Sequence, residues 1–183
     1  MRIMVLTGSP HQQGSSNLLA EYFIRGAREA GNMVGMVDVA HLAIRPCNGC
    51  LRCGYNGPCM QKDDMEKLRS HILETDMLVF VTPVYYYGMT AQLKTVIDRF
   101  CAFNAPLQQK HMKSALISVA WNSDDRTFAV LDAHYKSLVQ YLGFTDMGTV
   151  YGRGCGSPDV TARSVYVRQA YELGRKLVNQ TEQ

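Results

Sequence analysis

Apolar positions along the chain follow two alternating rhythms. Ile3-Met4-Val5-Leu6 and Met77-Leu78-Val79-Phe80-Val81 are short continuous runs, the pattern of strands covered on both faces. Residues 33–39, 114–120 and 144–151 read as three further strands. Between the strands the apolar residues fall at helical spacing. Leu18, Leu19, Tyr22, Phe23 and Ala27 mark the first helix, and Met65, Leu68, Ile72 and Leu73 the second. Leu93, Val96, Ile97 and Phe100 predict a helix over 89–103, and Phe128, Leu131, Tyr135, Leu138 and Leu142 a long one. Val165, Ala170, Leu173 and Leu177 place a last helix near the C-terminus. Ser15 or Ser16 is a natural N-cap for the first helix. Asp63 and Glu66 have capping-box spacing at the start of the second.

Five strands alternating with helices predict an α/β fold: a parallel sheet with helices on both faces. The count fits a flavodoxin-like three-layer sandwich of strand order 2-1-3-4-5, with residues 1–183 as one domain. Ligands of such sheets sit beyond the carboxyl ends of the strands. The segments 9–17, 47–59, 83–88 and 121–126 each follow a strand, so all four are expected on one edge.

Composition narrows the partners. An apolar fraction of 46% and a charged fraction of 19% are those of a soluble globular domain. A net charge of +3 is too small to argue for nucleic acid. No signal-like or membrane-spanning stretch is visible, so the expected location is the cytoplasm and no membrane partner is expected. In that compartment six cysteines point to metal binding, redox chemistry or packing before disulfides.

The segment Thr7-Gly8-Ser9-Pro10-His11-Gln12-Gln13-Gly14-Ser15-Ser16-Asn17 joins the first strand to the first helix. Unpaired N–H groups and the positive end of a helix dipole make such a turn an anion site. A Walker A loop would need lysine after the glycine, and Gly14 is followed by Ser15. The dinucleotide fingerprint is absent too, because Gly8 and Gly14 are six apart. Ser9, Gly14, Ser15, Ser16 and Asn17, with His11 beside them, suit a phosphate monoester bound without metal, as in FMN. The alternative is an ordinary strand-to-helix turn with a serine cap. Pro83, Val84, Tyr85, Tyr86, Tyr87 and Gly88 follow the third strand and offer flat apolar faces, free N–H groups and close backbone approach. An isoalloxazine ring needs those features; an aromatic packing cluster is the alternative.

Cys47, Cys50, Cys53 and Cys59 form C-x2-C-x2-C-x5-C. The nested triplet resembles the run that grips three corners of a [4Fe-4S] cluster, and Cys59 is near enough in sequence to close the site. Zinc competes for four thiolates, although it more often takes two separated pairs. A third reading is a thiol-rich loop without metal. Cys101 reads as packing on an apolar helix, Cys155 as an exposed loop thiol with pocket lining as the alternative, and Asp98-Arg99 as a helix-packing or subunit contact.

Several of these stretches together resemble one family, the NADPH-dependent FMN reductases and iron–sulfur flavoproteins. That group carries G-S-P-x-x-x-G-N/S-S/T, then T-P-x-Y-x-x-G, then L-K-x-x-I-D-R-F. The chain has Gly8-Ser9-Pro10 with Gly14-Ser15-Ser16, then Thr82-Pro83-Val84-Tyr85-Tyr86-Tyr87-Gly88, then Leu93-Lys94-Thr95-Val96-Ile97-Asp98-Arg99-Phe100. Its cysteine run stands ahead of Asp63-Asp64-Met65, as in the group. The match is specific to about residue 100 and looser beyond. One departure is Ser15, where asparagine is commoner; a hydroxyl still donates to phosphate. The resemblance implies an FMN-binding oxidoreductase that uses NAD(P)H to reduce a flavin, quinone or similar acceptor, or that passes electrons between proteins. It also implies a homodimer or homotetramer, with Trp121 and Asn122 near the flavin ring. No side chain is demanded as an acid or base, because flavin takes hydride itself.

Overall fold

The computed structural model describes residues 1–178. Five parallel strands form one sheet in the order β2-β1-β3-β4-β5: β1 (Arg2–Thr7), β2 (Met33–Asp38), β3 (Met77–Pro83), β4 (Lys113–Val119) and β5 (Thr145–Gly152). This is the flavodoxin-like order. Period-two alternation divides each central strand between two cores. Ile3, Val5, Met77, Val79, Val81, Ala115 and Ile117 face α1 (Ser15–Glu29) and a C-terminal helix. Met4, Leu6, Leu78, Phe80 and Leu116 face the opposite way, toward α2 (Met65–Leu73), α3 (Ala91–Asp98), α4 (Asn104–Lys110) and α5 (Arg126–Leu142). The short α6 (Pro158–Ala162) precedes the C-terminal α7 (Tyr166–Arg175).

Glycines let α1 and α7 touch backbone to backbone. A Cβ on Gly26 would stand 2.1 Å from the Tyr171 carbonyl oxygen, and one on Gly174 would stand 2.2 Å from that of Phe23. No side chain fits at either position, so the crossing is fixed by the absence of two methyl groups.

Three local expectations are corrected. First, α1 is capped by Gly14, and no side chain bonds its free N–H groups. Ser15 and Ser16 are its first two residues, so their hydroxyls do not cap. Second, the capping box at α2 does not form: Glu66 accepts from Lys62 at 3.1 Å, and both carboxylate oxygens of Asp63 bond Arg99. An arginine fork from another element outcompetes a local cap. Third, the helix expected over 89–103 ends at Asp98 and continues as a 3-10 segment, Arg99–Phe103, then α4. Thr90 caps α3, its Oγ1 accepting from the Leu93 N–H at 3.3 Å. Pro106 stands in the first turn of α4, where a missing N–H costs nothing. The short α4 and α6 carry too few apolar positions to show a helical period in the sequence.

Candidate functional site

The carboxyl ends of the strands open into one cavity of about 920 Å³, the size range of a cofactor pocket. Its floor is the turn after β1. The Gly8 N–H bonds the Val81 carbonyl at 2.8 Å, and the Thr90 hydroxyl donates to the Gly8 carbonyl at 2.6 Å. A Cβ on Gly8 would stand 2.6 Å from the Leu93 Cβ, so α3 sits tight against this turn only because residue 8 is glycine. Ser9 Oγ accepts from the His11 N–H at 3.2 Å, and the Asn17 amide donates to the carbonyls of His11 and Gln12. These bonds curl residues 9–14 over the start of α1.

The turn leaves one donor free: the Ser16 hydroxyl is buried with no hydrogen-bond partner, and so, as an acceptor, is Asn17 Oδ1. A buried hydroxyl without a partner costs about 1–3 kcal/mol, and an incoming acceptor would recover that loss. No lysine or arginine lines the cavity. An anion there would be held by backbone N–H groups, hydroxyls and the α1 dipole. The orphaned Ser16 hydroxyl, the helix N-terminus and the cavity volume fit the phosphate and ring of FMN.

The predicted residues divide by placement. Ser9, His11, Gly14, Ser15 and Ser16 line the cavity, as do Pro83, Val84, Tyr85 and Trp121. Asn17 stands behind them and holds the turn. Tyr86, Tyr87 and Gly88 do not line it. Tyr85 and Gly88 exchange both backbone hydrogen bonds, at 3.0 and 3.1 Å, as a tight hairpin. Tyr86 and Tyr87, at its tip, have φ of 47° and 66°, where Asn-Gly would be usual. Two left-handed tyrosines store about 1–2 kcal/mol each. Tyr86 projects wholly into solvent, at 102% exposure. Asn122 is also outside the lining: its Oδ1 accepts from the Thr127 hydroxyl at 2.6 Å, and its carbonyl accepts from Gly154 N–H at 2.8 Å.

That last bond brings the turn after β5 over the cavity, where Cys155, Gly156 and Pro158 complete one wall. Of the two readings of Cys155 the structure takes the pocket-lining one: it is 2% exposed and part of the lining. Arg153 bonds Asp125 and lies over the Phe128 ring at 5.6 Å, which fixes this turn against α5. A Cβ on Gly156 would stand 2.4 Å from the Trp121 ring, so the indole lies flat on residue 156 while 83% of it remains exposed. His41, held by Asp38 at 2.8 Å, reaches the lining from the turn after β2. Neither His41 nor Gly156 belongs to a motif; only their positions after β2 and β5 could have suggested them.

The cysteine loop lies elsewhere. Its ends are clamped by one buried pair: Arg99, 1% exposed, donates to both oxygens of Asp63 at 2.6 and 3.0 Å and to the Arg45 carbonyl at 2.8 Å. Asp63 also accepts from the Arg45 and Met65 N–H groups. Burial alone would raise the Asp63 carboxyl, but the Arg99 hydrogen bonds and charge outweigh it and hold it below the usual range. Asp98 forms an exposed pair with Lys94, at 2.6 Å. Between the clamped ends the loop is loosely built, with Gly49, Leu51, Gly54 and Tyr55 all at positive φ.

Cys47, Cys50, Cys53 and Cys59 line a single void of about 20 Å³, together with Arg99 and Cys101. That is room for one water. Among the described residues no three cysteine, histidine or acidic side chains stand close enough to hold a metal ion. The donor set suits a thiolate-bound centre by its chemistry, and the loop would have to spread around one. The void and the large cavity share no lining residue. Cys101 also departs from simple packing: burial first, then the Cys53 and Cys47 thiols, push it up to about 11.

The family of NADPH-dependent FMN reductases matches residues 1–154. The chain belongs to that family. Membership makes it an FMN-dependent oxidoreductase that works with NAD(P)H. The reductase is 26% identical over 184 aligned positions to an iron–sulfur flavoprotein of Archaeoglobus fulgidus, an alignment that covers 100% of this chain and 81% of the relative. It is 28% identical to an iron–sulfur flavoprotein of Methanocaldococcus jannaschii, covering 97% and 95% of the two chains. Among solved structures, an azoreductase of Bacillus anthracis superposes with a TM-score of 0.74 at 19% identity, covering 97% of the reductase and 100% of that chain. At that identity the likeness shows a common fold. No helix among the described residues is long and apolar enough to cross a membrane.

Proposed function

We propose that the reductase holds FMN in the large cavity, its phosphate on Ser9, Ser15, Ser16 and the N-terminus of α1, its ring between the Pro83–Tyr85 segment and Trp121. The buried, unpartnered Ser16 hydroxyl is the observation that carries this reading, because it is an anion donor with nothing to donate to. Held there, FMN would supply the hydride and electron chemistry between NAD(P)H and an acceptor. The chain's own part is to bind, orient and cover. Val84 donates its N–H to the Val119 carbonyl at 2.8 Å, which fixes the backbone beside the ring. Trp121, flat on Gly156 and exposed, supplies an aromatic rim on which a flat acceptor such as a flavin or quinone would stack. Comparing FMN with riboflavin tests the phosphate assignment. FMN should bind at least 100-fold more tightly, and equal affinities would overturn it.

A second reading adds to the first. Cys47, Cys50, Cys53 and Cys59 would ligate a [4Fe-4S] cluster in protein made without oxygen, and the chain would then serve as an electron carrier between proteins. The names of both archaeal relatives favour it. Anaerobic reconstitution should give about four irons per chain and a broad absorbance near 400 nm, both lost in Cys50→Ala. Stoichiometric zinc, or no metal, would leave a flavin-only reductase. The exposed apolar side chains of Leu51, Met60 and Tyr86 support a homo-oligomer that covers them. Sedimentation at micromolar concentration should then give a multiple of 20.5 kDa.

A further inference from the structure

Cys101 lies 48 residues beyond Cys53 and outside every cysteine motif, yet the fold delivers it to the same void. The 3-10 segment Arg99–Phe103 makes this juxtaposition. It turns Arg99 toward Asp63 and presents Cys101, two residues on, to the loop that Asp63 closes. The Cys53 thiol donates to the Cys101 carbonyl at 3.8 Å. Cys101, Cys53 and Cys47 all line that one small void. A turn holds Cys53 in place: Asn56 N–H bonds its carbonyl at 3.2 Å, and a Cβ on Gly57 would stand 2.7 Å from the same oxygen. Both Cys53 and Cys101 are half-buried, open to a small oxidant and shielded from a large one. Four thiols would suffice for any four-ligand centre, so the fifth is surplus to that role.

We propose that Cys53 and Cys101 form a reversible disulfide when the loop holds no metal. Hydrogen peroxide is the oxidant class that balances the step. The Cys53 sulfur attacks one peroxide oxygen, the O–O bond breaks, and a sulfenic acid and one water result. The Cys101 sulfur then attacks the Cys53 sulfur. The S–O bond breaks, and the departing hydroxide takes the Cys101 proton as a second water. Two thiols lose two electrons, and one peroxide becomes two waters. A dithiol reductant reverses the bond. The disulfide ties the cysteine loop to the end of α3 and removes the Cys53 thiolate from anything the loop would otherwise bind.

The test uses full-length protein, stripped of metal by chelation under reductant and then given equimolar hydrogen peroxide. Alkylation and trypsin without reduction leave Cys53 on residues 53–62 and Cys101 on residues 100–110. The proposal expects these two peptides joined, with fragmentation assigning the bond to Cys53 rather than Cys59. Dithiothreitol should separate them, and Cys101→Ser should lack the joined species. The crosslinked wild type should also melt about 5–10 °C higher than the reduced protein, because the bond closes a long loop. A Cys53–Cys59 bond, closing a short loop, would shift the midpoint about half as far. Alkylated, unpaired Cys101 after peroxide treatment would overturn the proposal, and so would its pairing with any cysteine other than Cys53. Neither result depends on FMN or on a cluster, so failure here is distinct from failure of the proposed function.

Discussion

The turn after β1 and the cysteine loop after β2 leave neighbouring strands and are built in opposite ways. The first is short, exposed at its tip over residues 11–13, and bonded to itself and to α3, and its conformation is set before any ligand arrives. What it lacks is partners for the Ser16 hydroxyl and the first N–H groups of α1. The second is clamped at its two ends by Asp63 and Arg99 and is exposed over much of its middle, around a void the size of one water. What it lacks, among the described residues, is three sulfurs close enough together to hold a metal ion. An anion site can be preformed because backbone geometry and the helix dipole supply it without any charge to repel. A four-thiolate site resists preforming, since metal-free thiolates would repel one another at bonding distance.

Breaking the clamp is expected to have the largest effect. Arg99→Ala leaves the Asp63 carboxylate buried without its fork and should cost about 3–5 kcal/mol in urea unfolding. The same pair has a pH signature. The folded Asp63 carboxyl is held low, so its contribution is complete above the unfolded value near 3.9 and is lost as pH falls through the lower folded value. Asp63→Asn should flatten that part of the acid limb of the stability curve. An acid limb identical to wild type would remove the pair from its role as clamp.

Ser15→Asp separates binding from folding at the other loop. A carboxylate at the first residue of α1 favours the helix dipole by about 0.3–1 kcal/mol, so the flavin-free protein should melt at the same temperature or slightly higher. The same charge repels a phosphate, and FMN affinity should drop on the order of 10–100-fold by flavin-fluorescence titration. Parallel losses of affinity and stability would mean the variant damages the turn rather than its charge balance.

Smaller effects are expected inside the cysteine loop. Leu51→Gly relieves a left-handed residue at φ 58° and should stabilise the metal-free protein by up to about 1 kcal/mol. Cys50→Ser, at an exposed position, should stay within about 0.5 kcal/mol of wild type when no metal is bound. A larger loss in either would show that the loop is organised without a ligand, and the contrast with the first turn would fail.

Strand order, the two-sided sheet and the turn after β1 were legible in the sequence because each rests on a local pattern. Continuous apolar runs mark strands buried on both faces, a 3.6-residue period marks helices, and a glycine–serine turn between them marks an anion site. Patterns of that kind say nothing about where a side chain finds its partner. Asp63 reads as a local cap and, besides accepting from the Met65 N–H, bonds an arginine 36 residues away. Cys155 reads as an exposed loop thiol or a pocket residue, and it lines the cavity because Arg153 and the Asn122 carbonyl fold its turn inward. Cys101 reads as packing and faces four other cysteines because a helix expected to continue tightens into a 3-10 turn. Periodicity fixes which face of an element is buried; the tertiary structure decides what that face meets, since long-range contacts carry no spacing in the chain.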